Sequence, residues 1–339
     1  GTLIGLVRNI LKAFLLPDFY SSVIQKKITT NNNFSVVENP SISKILAFED
    51  LSRPTNDYSS NPEFFKNFYQ DNPFLEGRPH TLAEIQDQRV MSLGHNLHLP
   101  FSVFGENRLV NFWGNWRGIS GRSKVASSIL LGRALKSSDI IASYKPSKYI
   151  EPTFQKLGWK RVELKSFELI NPKLDHNRFC KGFSTDDNFD HNMNFSVFND
   201  VNEFDVHINL NYPFLNWRIE NYLLAKHIYF YLDDYGYEKA FIVAQFSKNV
   251  LFILDLKYSS ESALVKALQN IFLWTKKKRI PSVQIETSCE SLSKLLAKNY
   301  EVAKTVRNSC YFHSSDKSIN LEDARILITP IASDTLLRP

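Results

Sequence analysis

The sequence predicts an α/β protein built from two diverged copies of one unit, each a mixed β-sheet flanked by helices. Three observations carry that expectation. The same strand–helix–strand–helix–strand order is legible on both sides of a polar, Asp- and Asn-rich stretch. Matching elements recur at nearly constant separation, as in a duplicated unit. The opening segments also correspond: PEFFKNFYQDNP from Pro62 and PFLNWRIEN from Pro213 each carry an aromatic cluster followed by Asn.

In the first half, Arg122 to Lys136 repeats apolar residues at helical spacing (Ala126, Leu130 and Ala134, beside Val125 and Ile129). A short strand follows at Ile140–Ala142 and a turn at Pro146. A helix from Tyr149 to Leu157 then stops at Gly158, where a left-handed cap suits glycine. Trp159 to Phe167 reads as the next strand. In the second half, Ser259 or Ser260 caps a helix carrying Leu264, Leu268 and Ile271. A strand at Ser282–Glu286 comes next, and Thr287 with Glu290 has capping-box spacing. That helix closes at Asn299, a substitute for Gly at a C-cap, before a strand over Tyr300–Val306. The strands feeding the long helices are Leu109–Trp113 and Val250–Leu256. The second is a continuous apolar run, as expected of a strand covered on both faces.

At 339 residues the chain exceeds a single core and suggests two domains of about 150 to 170 residues each. The expected division is a helical extension over 1–45, a first domain over 46–170, a linker over 171–203 and a second domain over 204–339. A composition of 43% hydrophobic and 22% charged residues excludes disorder along the whole chain. The net charge of +6 comes without a basic stripe interleaved with aromatics, so no nucleic-acid partner is expected. The one dense run, Lys276-Lys277-Lys278-Arg279, reads as cations closing a helix, with an anionic partner as the second reading. Cys180, Cys289 and Cys310 show neither a disulfide framework nor zinc spacing, which fits a reducing cytoplasm and no metal. Gly1 to Pro17 is too short and too interrupted by Arg8 and Lys12 to cross a bilayer. Its helical recurrence of Leu3, Ile4, Val7, Leu11 and Phe14 admits peripheral membrane contact.

Residues 116–124, WRGISGRSK, place two glycines and three cations just before the first long helix. A helix start exposes unpaired N–H groups and a partial positive charge, and glycines let a phosphate approach the backbone. With QKLGWKRV at 155–162, this stretch resembles the GNAT (GCN5-related N-acetyltransferase) superfamily, and LAKNYEVA at 296–303 stands in the matching place of the second half. The resemblance implies tandem GNAT-like domains and acetyl-CoA or another acyl-CoA as substrate. In that family a loop patterned Gln/Arg-x-x-Gly-x-Gly/Ala holds the pyrophosphate. Carried over, it gives Trp113, Arg117, Gly118, Gly121, Arg122, Ser123 and Lys124 as the binding residues. Departures are visible: Val125 and Ser127 stand where Gly and Gly/Ala belong, Phe154 stands where a tyrosine often serves as general acid, and the second half has no glycine-rich loop.

The resemblance implies acyl transfer to a small amine acceptor, such as an amino sugar or amino acid, in cell-surface polysaccharide synthesis. Reaching the neutral amine at pH 7 from a lysine-like pKa costs about 4 to 5 kcal/mol, so a base or desolvating pocket is needed. Tyr149 and Tyr144 are the candidate acids, His95 and His98 the candidate bases, and the strand at Asn111–Trp113 a source of an oxyanion N–H. Asp255 and Trp217 are the candidate acceptor residues. Two other readings stay open: an aminoacyl-tRNA-dependent Fem-type transferase, and a non-catalytic binding protein whose halves have lost the cofactor.

Overall fold

A computed structural model describes residues 34–52, 61–119, 124–172, 180–187, 189–190, 192–195, 198, 203–220, 226–247 and 249–332. Residues 1–33 of the expected helical extension, with Gly121, Arg122 and Ser123, lie outside the described residues, and Phe34–Glu38 near the extension's end is a strand rather than a helix. The chain folds as two units that are interleaved along the sequence rather than cut once within 171–203. Unit 1 takes in the described residues up to Leu99, Leu109–Arg161 and Cys310–Glu322. Unit 2 takes in Pro100–Arg108, Val162–Ser309 and the described residues from Asp323.

Unit 1 begins with β1 (Phe34–Glu38), α1 (Ile42–Ser52) and α2 (Pro62–Phe65), the last continuing as a π turn over Lys66–Gln70. Then come β2 (Thr81–Gln86), β3 (Arg89–Val103), β4 (Glu106–Gly118), α3 (Lys124–Lys136), β5 (Ile140–Tyr144), α4 (Glu151–Lys156) and the start of β6 (Lys160–Pro172). Its sheet order is β1-β2-β3-β4-β5. A late segment closes it: Cys310–Ser314, the end of β13 (Tyr300–Ser314), pairs antiparallel with Tyr144–Ile140 of β5.

Unit 2 holds β7 (Phe183–Asp186), β8 (Val206–Ile208), α5 (Tyr212–Leu215) with a π turn over Asn216–Glu220, β9 (Lys226–Asp234), β10 (Glu238–Ser247) and β11 (Val250–Tyr258). It continues with α6 (Glu261–Lys277), β12 (Ser282–Thr287), α7 (Glu290–Asn299) and a short 3-10 turn, Pro330–Ala332. Its sheet order is β6-β12-β11-β10-β9-β7, so part of the expected linker is an edge strand.

Each unit is held by a long helix laid on its sheet. α3 buries Ala126, and its Leu130, Leu131 and Ala134 cluster with Leu82, Trp113 and Ile141. The apolar stripe on α6 (Ala263, Leu264, Ala267, Leu268, Ile271) packs on Ile242, Ala244 and Leu251. Each fully buried leucine or isoleucine contributes about 1.5–3 kcal/mol. The duplicated opening segments take one unusual form twice. Asn61 caps α2 by accepting from Glu63 N and Phe64 N, and Asn211 caps α5 by accepting from Phe214 N. Each helix has Pro in its first turn and gives way to a five-residue π turn after four residues.

Gly158 adopts φ +73 after α4, as its cap role requires. Two expected caps differ. α7 is capped by Cys289, whose Sγ accepts from Leu292 N, while Thr287 accepts from Cys289 N instead of forming a capping box with Glu290. Asn299 is the last helical residue and β13 starts at Tyr300 in extended backbone, leaving no room for a left-handed cap. The Lys276–Arg279 run does close α6: Lys276 and Lys277 lie in its last turn, and Lys278 Nζ sits 6.0 Å from the Trp274 ring centroid.

Three buried histidines couple stability to pH. Burial, reinforced by the nearby Arg78 charge, pushes His98 down to about 3. Burial and His95 lower His80 to about 4, and burial with Arg218 lowers His227 to about 4. The unfolded chain protonates these rings near pH 6.5 and the folded chain only at 3–4, so the unfolded state binds more protons between those limits. Their contribution is complete above pH 6.5 and is lost as pH falls. Melting temperature is expected to fall steadily from pH 7 to pH 4.5, with His98 alone adding up to about 1.4 kcal/mol per pH unit. His98→Gln removes that titration, so its melting temperature should fall less steeply with pH; an unchanged slope contradicts the assignment.

Candidate functional site

β4 and β5 run parallel as neighbours, with Val110, Asn111 and Phe112 opposite Ile140, Ile141 and Ala142. After these three pairs the strands part company. β4 continues to Gly118 beside β3, and the chain is still tied there at Ile119, whose N–H donates to Met91 O at 2.9 Å. β5 stays with β13 through Tyr144. The ladder therefore opens at Trp113 on one side and Ser143 on the other. Asn115 adds a left-handed residue (φ +51) near the C-terminal end of β4, a conformation Asn tolerates, and donates from Nδ2 to Tyr69 Oη at 3.2 Å.

The opening lies at the C-terminal ends of two parallel strands, where α/β sheets tend to place ligands. β4 leads through residues 119–123 directly into α3, whose first turn carries no acidic residue. The wall on the α3 side is Trp113, 2% exposed, with Nε1 lacking an acceptor among the described residues. Gly94 makes room for it, since a Cβ there would stand 2.1 Å from Trp113 Cζ2. On the opposite face, Tyr144 follows Ala142 and Phe112 by strand alternation, because Ile141 is the residue that turns toward α3.

That opposite face carries a buried polar cluster. Glu49 of α1, 1% exposed, forms an ion pair with Arg117 and stands 3.6 Å from His95 Nε2. Arg117 also donates from Nε to Ser52 Oγ at 2.9 Å and lies over the Phe48 ring. His95 Nδ1 pairs with Thr81 Oγ1 at 2.9 Å, and its ring packs on Tyr69 at 4.4 Å. The end of β4 is thus fastened to α1 by a charged contact.

No protein-family model and no curated protein matches the sequence. Solved structures do. The chain superposes on a GCN5-related N-acetyltransferase from Kribbella flavida with TM-score 0.61 at 12% identity, covering 84% of this chain and 72% of that one. A GCN5-related N-acetyltransferase from Anabaena variabilis gives TM-score 0.57 at 12% identity, over 84% and 73%. The N-myristoyltransferase of Saccharomyces cerevisiae, solved with bound myristoyl-CoA, gives 0.53 at 8%, over 83% and 82%. The chain has a divergent GNAT fold.

Within the GNAT fold the expected site residues are distributed unevenly. Trp113, Gly118 and Tyr144 line or adjoin the opening, and Lys124 is the first residue of α3. Arg117, expected to hold the cofactor, instead has its guanidinium paired with Glu49 and Ser52. Tyr149 is 87% exposed in the turn before α4, on the surface rather than at the strand ends. Phe154 fills the core, stacked on Trp159 at 4.3 Å. His98, 0% exposed, is enclosed within β3. Asp255 and Trp217 belong to unit 2, both buried: Asp255 accepts from Thr329 Oγ1 at 2.9 Å, and Trp217 packs edge-on to Phe214. Sequence reasoning missed Glu49, for which an acidic residue in a helix gives no signal.

Gly94→Ala is expected to cost about 1–3 kcal/mol of stability by overpacking against the indole. In a Trp113→Leu background the same change should cost at least about 0.5 kcal/mol less, measured by chemical denaturation. Strict additivity contradicts this packing.

Proposed function

We propose that the chain is an acyl-CoA-dependent N-acyltransferase that uses unit 1. The observation that carries this reading is the parting of β4 from β5 directly in front of a helix start without acidic residues. A flexible, amide-bearing arm such as that of CoA can lie between two strands that have lost each other, and its diphosphate can meet the helix N-terminus. Gly118, Gly121, Ser123, Arg122 and Lys124 supply close approach and charge. The dipole contributes about 0.3–2 kcal/mol, and charge-assisted hydrogen bonds add to it. The resemblance to a transferase solved with bound myristoyl-CoA supports the choice of an acyl thioester.

In this reading the acceptor is a small amine, an amino sugar or amino acid in cell-surface polysaccharide synthesis, and the protein works in the cytoplasm. The amine nitrogen attacks the thioester carbonyl, and backbone N–H groups from Trp113 onward meet the oxyanion. The tetrahedral intermediate then expels the thiolate, which Tyr144 protonates; the amine proton leaves to a base. Tyr144 is favoured over Tyr149 because it stands two residues past the last β4–β5 pair. The non-catalytic reading draws on Phe154, which packs where the family often has its acid.

Calorimetry with acetyl-CoA separates the readings. Micromolar binding, lost on Arg122→Glu with Lys124→Glu, is the expected result, and at a hundredfold excess over Kd it adds about 2.7 kcal/mol of stability. Absence of stabilisation at millimolar CoA contradicts the proposal. Once an acceptor is found, Tyr144→Phe should lower kcat by about 100-fold or more with KM for acyl-CoA little changed, whereas Tyr149→Phe should leave both near their original values.

A further inference from the structure

Unit 2 repeats the parting of strands seen in unit 1. β11 and β12 run parallel over Val250–Ile253 and Ser282–Ile285. Beyond those pairs β11 stays with β10 as far as Tyr258, past a bulge opposite Val243 and Ala244, while β12 stays with β6 through Thr287. In this unit, however, a segment of the chain itself lies across the opening.

Leu327 N donates to Val206 O at 2.8 Å, and Ile326 forms a parallel bridge with Val206. Ser288, three residues past the last pair on the β12 side, holds the segment three times. Its N–H donates to Ile328 O at 3.2 Å, its Oγ donates to Ile326 O at 2.8 Å, and Oγ accepts from Ile328 N at 2.8 Å. Two residues past the last pair on the β11 side, Asp255 Oδ1 accepts from Thr329 Oγ1 at 2.9 Å. Arg218 Nε, from the π turn, donates to Ile331 O at 3.1 Å. Both parted strands are thereby bridged by one peptide, whose own Ile328, Ile331 and Ala332 are buried. In unit 1 the position two residues past the seam is Gly114, which has no side chain to anchor such a bridge.

The helix mouth differs in the same sense. α6 is capped by its own Ser260, whose Oγ accepts from Ala263 N at 3.0 Å, and Glu261 stands in its first turn. A helix start that is already capped and carries a carboxylate disfavours a diphosphate, whereas the first turn of α3 carries no acidic residue.

We propose that the segment Arg325–Ala332 is the resident occupant of the second seam and excludes acyl-CoA from unit 2. The stoichiometric part of this claim rests on the acyl-CoA reading of unit 1; occupancy by the segment does not. Two measurements on the full chain therefore test it. In hydrogen–deuterium exchange the amides of Leu327 and Ile328 should be protected at least about 1,000-fold, and saturating acetyl-CoA should leave that protection unchanged. Ser288→Ala with Thr329→Val should reduce it by about tenfold or more while α6 keeps its own protection. In calorimetry one equivalent of acetyl-CoA should bind, and charge reversal at Arg122 and Lys124 should abolish all of it. Rapid exchange of the segment, its release by acetyl-CoA, or a second equivalent surviving that charge reversal overturns the proposal. Zero equivalents with a protected segment supports occupancy and contradicts only the function proposed for unit 1.

Discussion

The structure turns on a parallel strand pair that is allowed to separate. Parallel neighbours normally stay paired along their shared length, because each backbone N–H and C=O needs a partner and an unmet buried group costs about 1–3 kcal/mol. Here β4 keeps β3 and β5 keeps β13, so each strand retains one ladder while the edge between them opens after Phe112 and Ala142. The rest of unit 1 serves this geometry: Gly94 admits Trp113 as its wall, and the Glu49–Arg117 ion pair fastens the far end of β4 to α1.

The two units show one structural device with two kinds of chemistry around it. Beside the opening in unit 1 the first turn of α3 holds no acidic residue, which is the basis of the anionic ligand proposed for it. Where a serine cap and a glutamate occupy the helix start, the opening is bridged by the chain's own backbone, anchored on Ser288 and Asp255. The buried carboxylate Asp255 fits this role: it looks like an acceptor ligand in the sequence and is a structural anchor in the fold.

Elements governed by local chemistry were legible in the sequence. The α3 and α6 stripes, the Gly158 cap, the Ser260 cap and the paired opening segments all follow from residues within a turn or two of one another. Features governed by distant partners were not. Arg117 reads as a phosphate ligand until Glu49 claims it, and periodicity cannot show that Cys310–Ser314 completes the sheet of the first half. The π turns also escaped, since their residues have the spacing of an ordinary helix. Of the candidate site, the start of the long helix α3 was readable from its periodicity, whereas the strand opening before it depends on pairings between segments far apart in the chain.

The most direct test of the central claim is an experimental structure of the chain crystallised with CoA. The pantetheine arm is expected between Trp113 and Ser143, with the diphosphate over the first turn of α3. Density for CoA anywhere else, or an opening closed by side chains from β4 and β5, would contradict it.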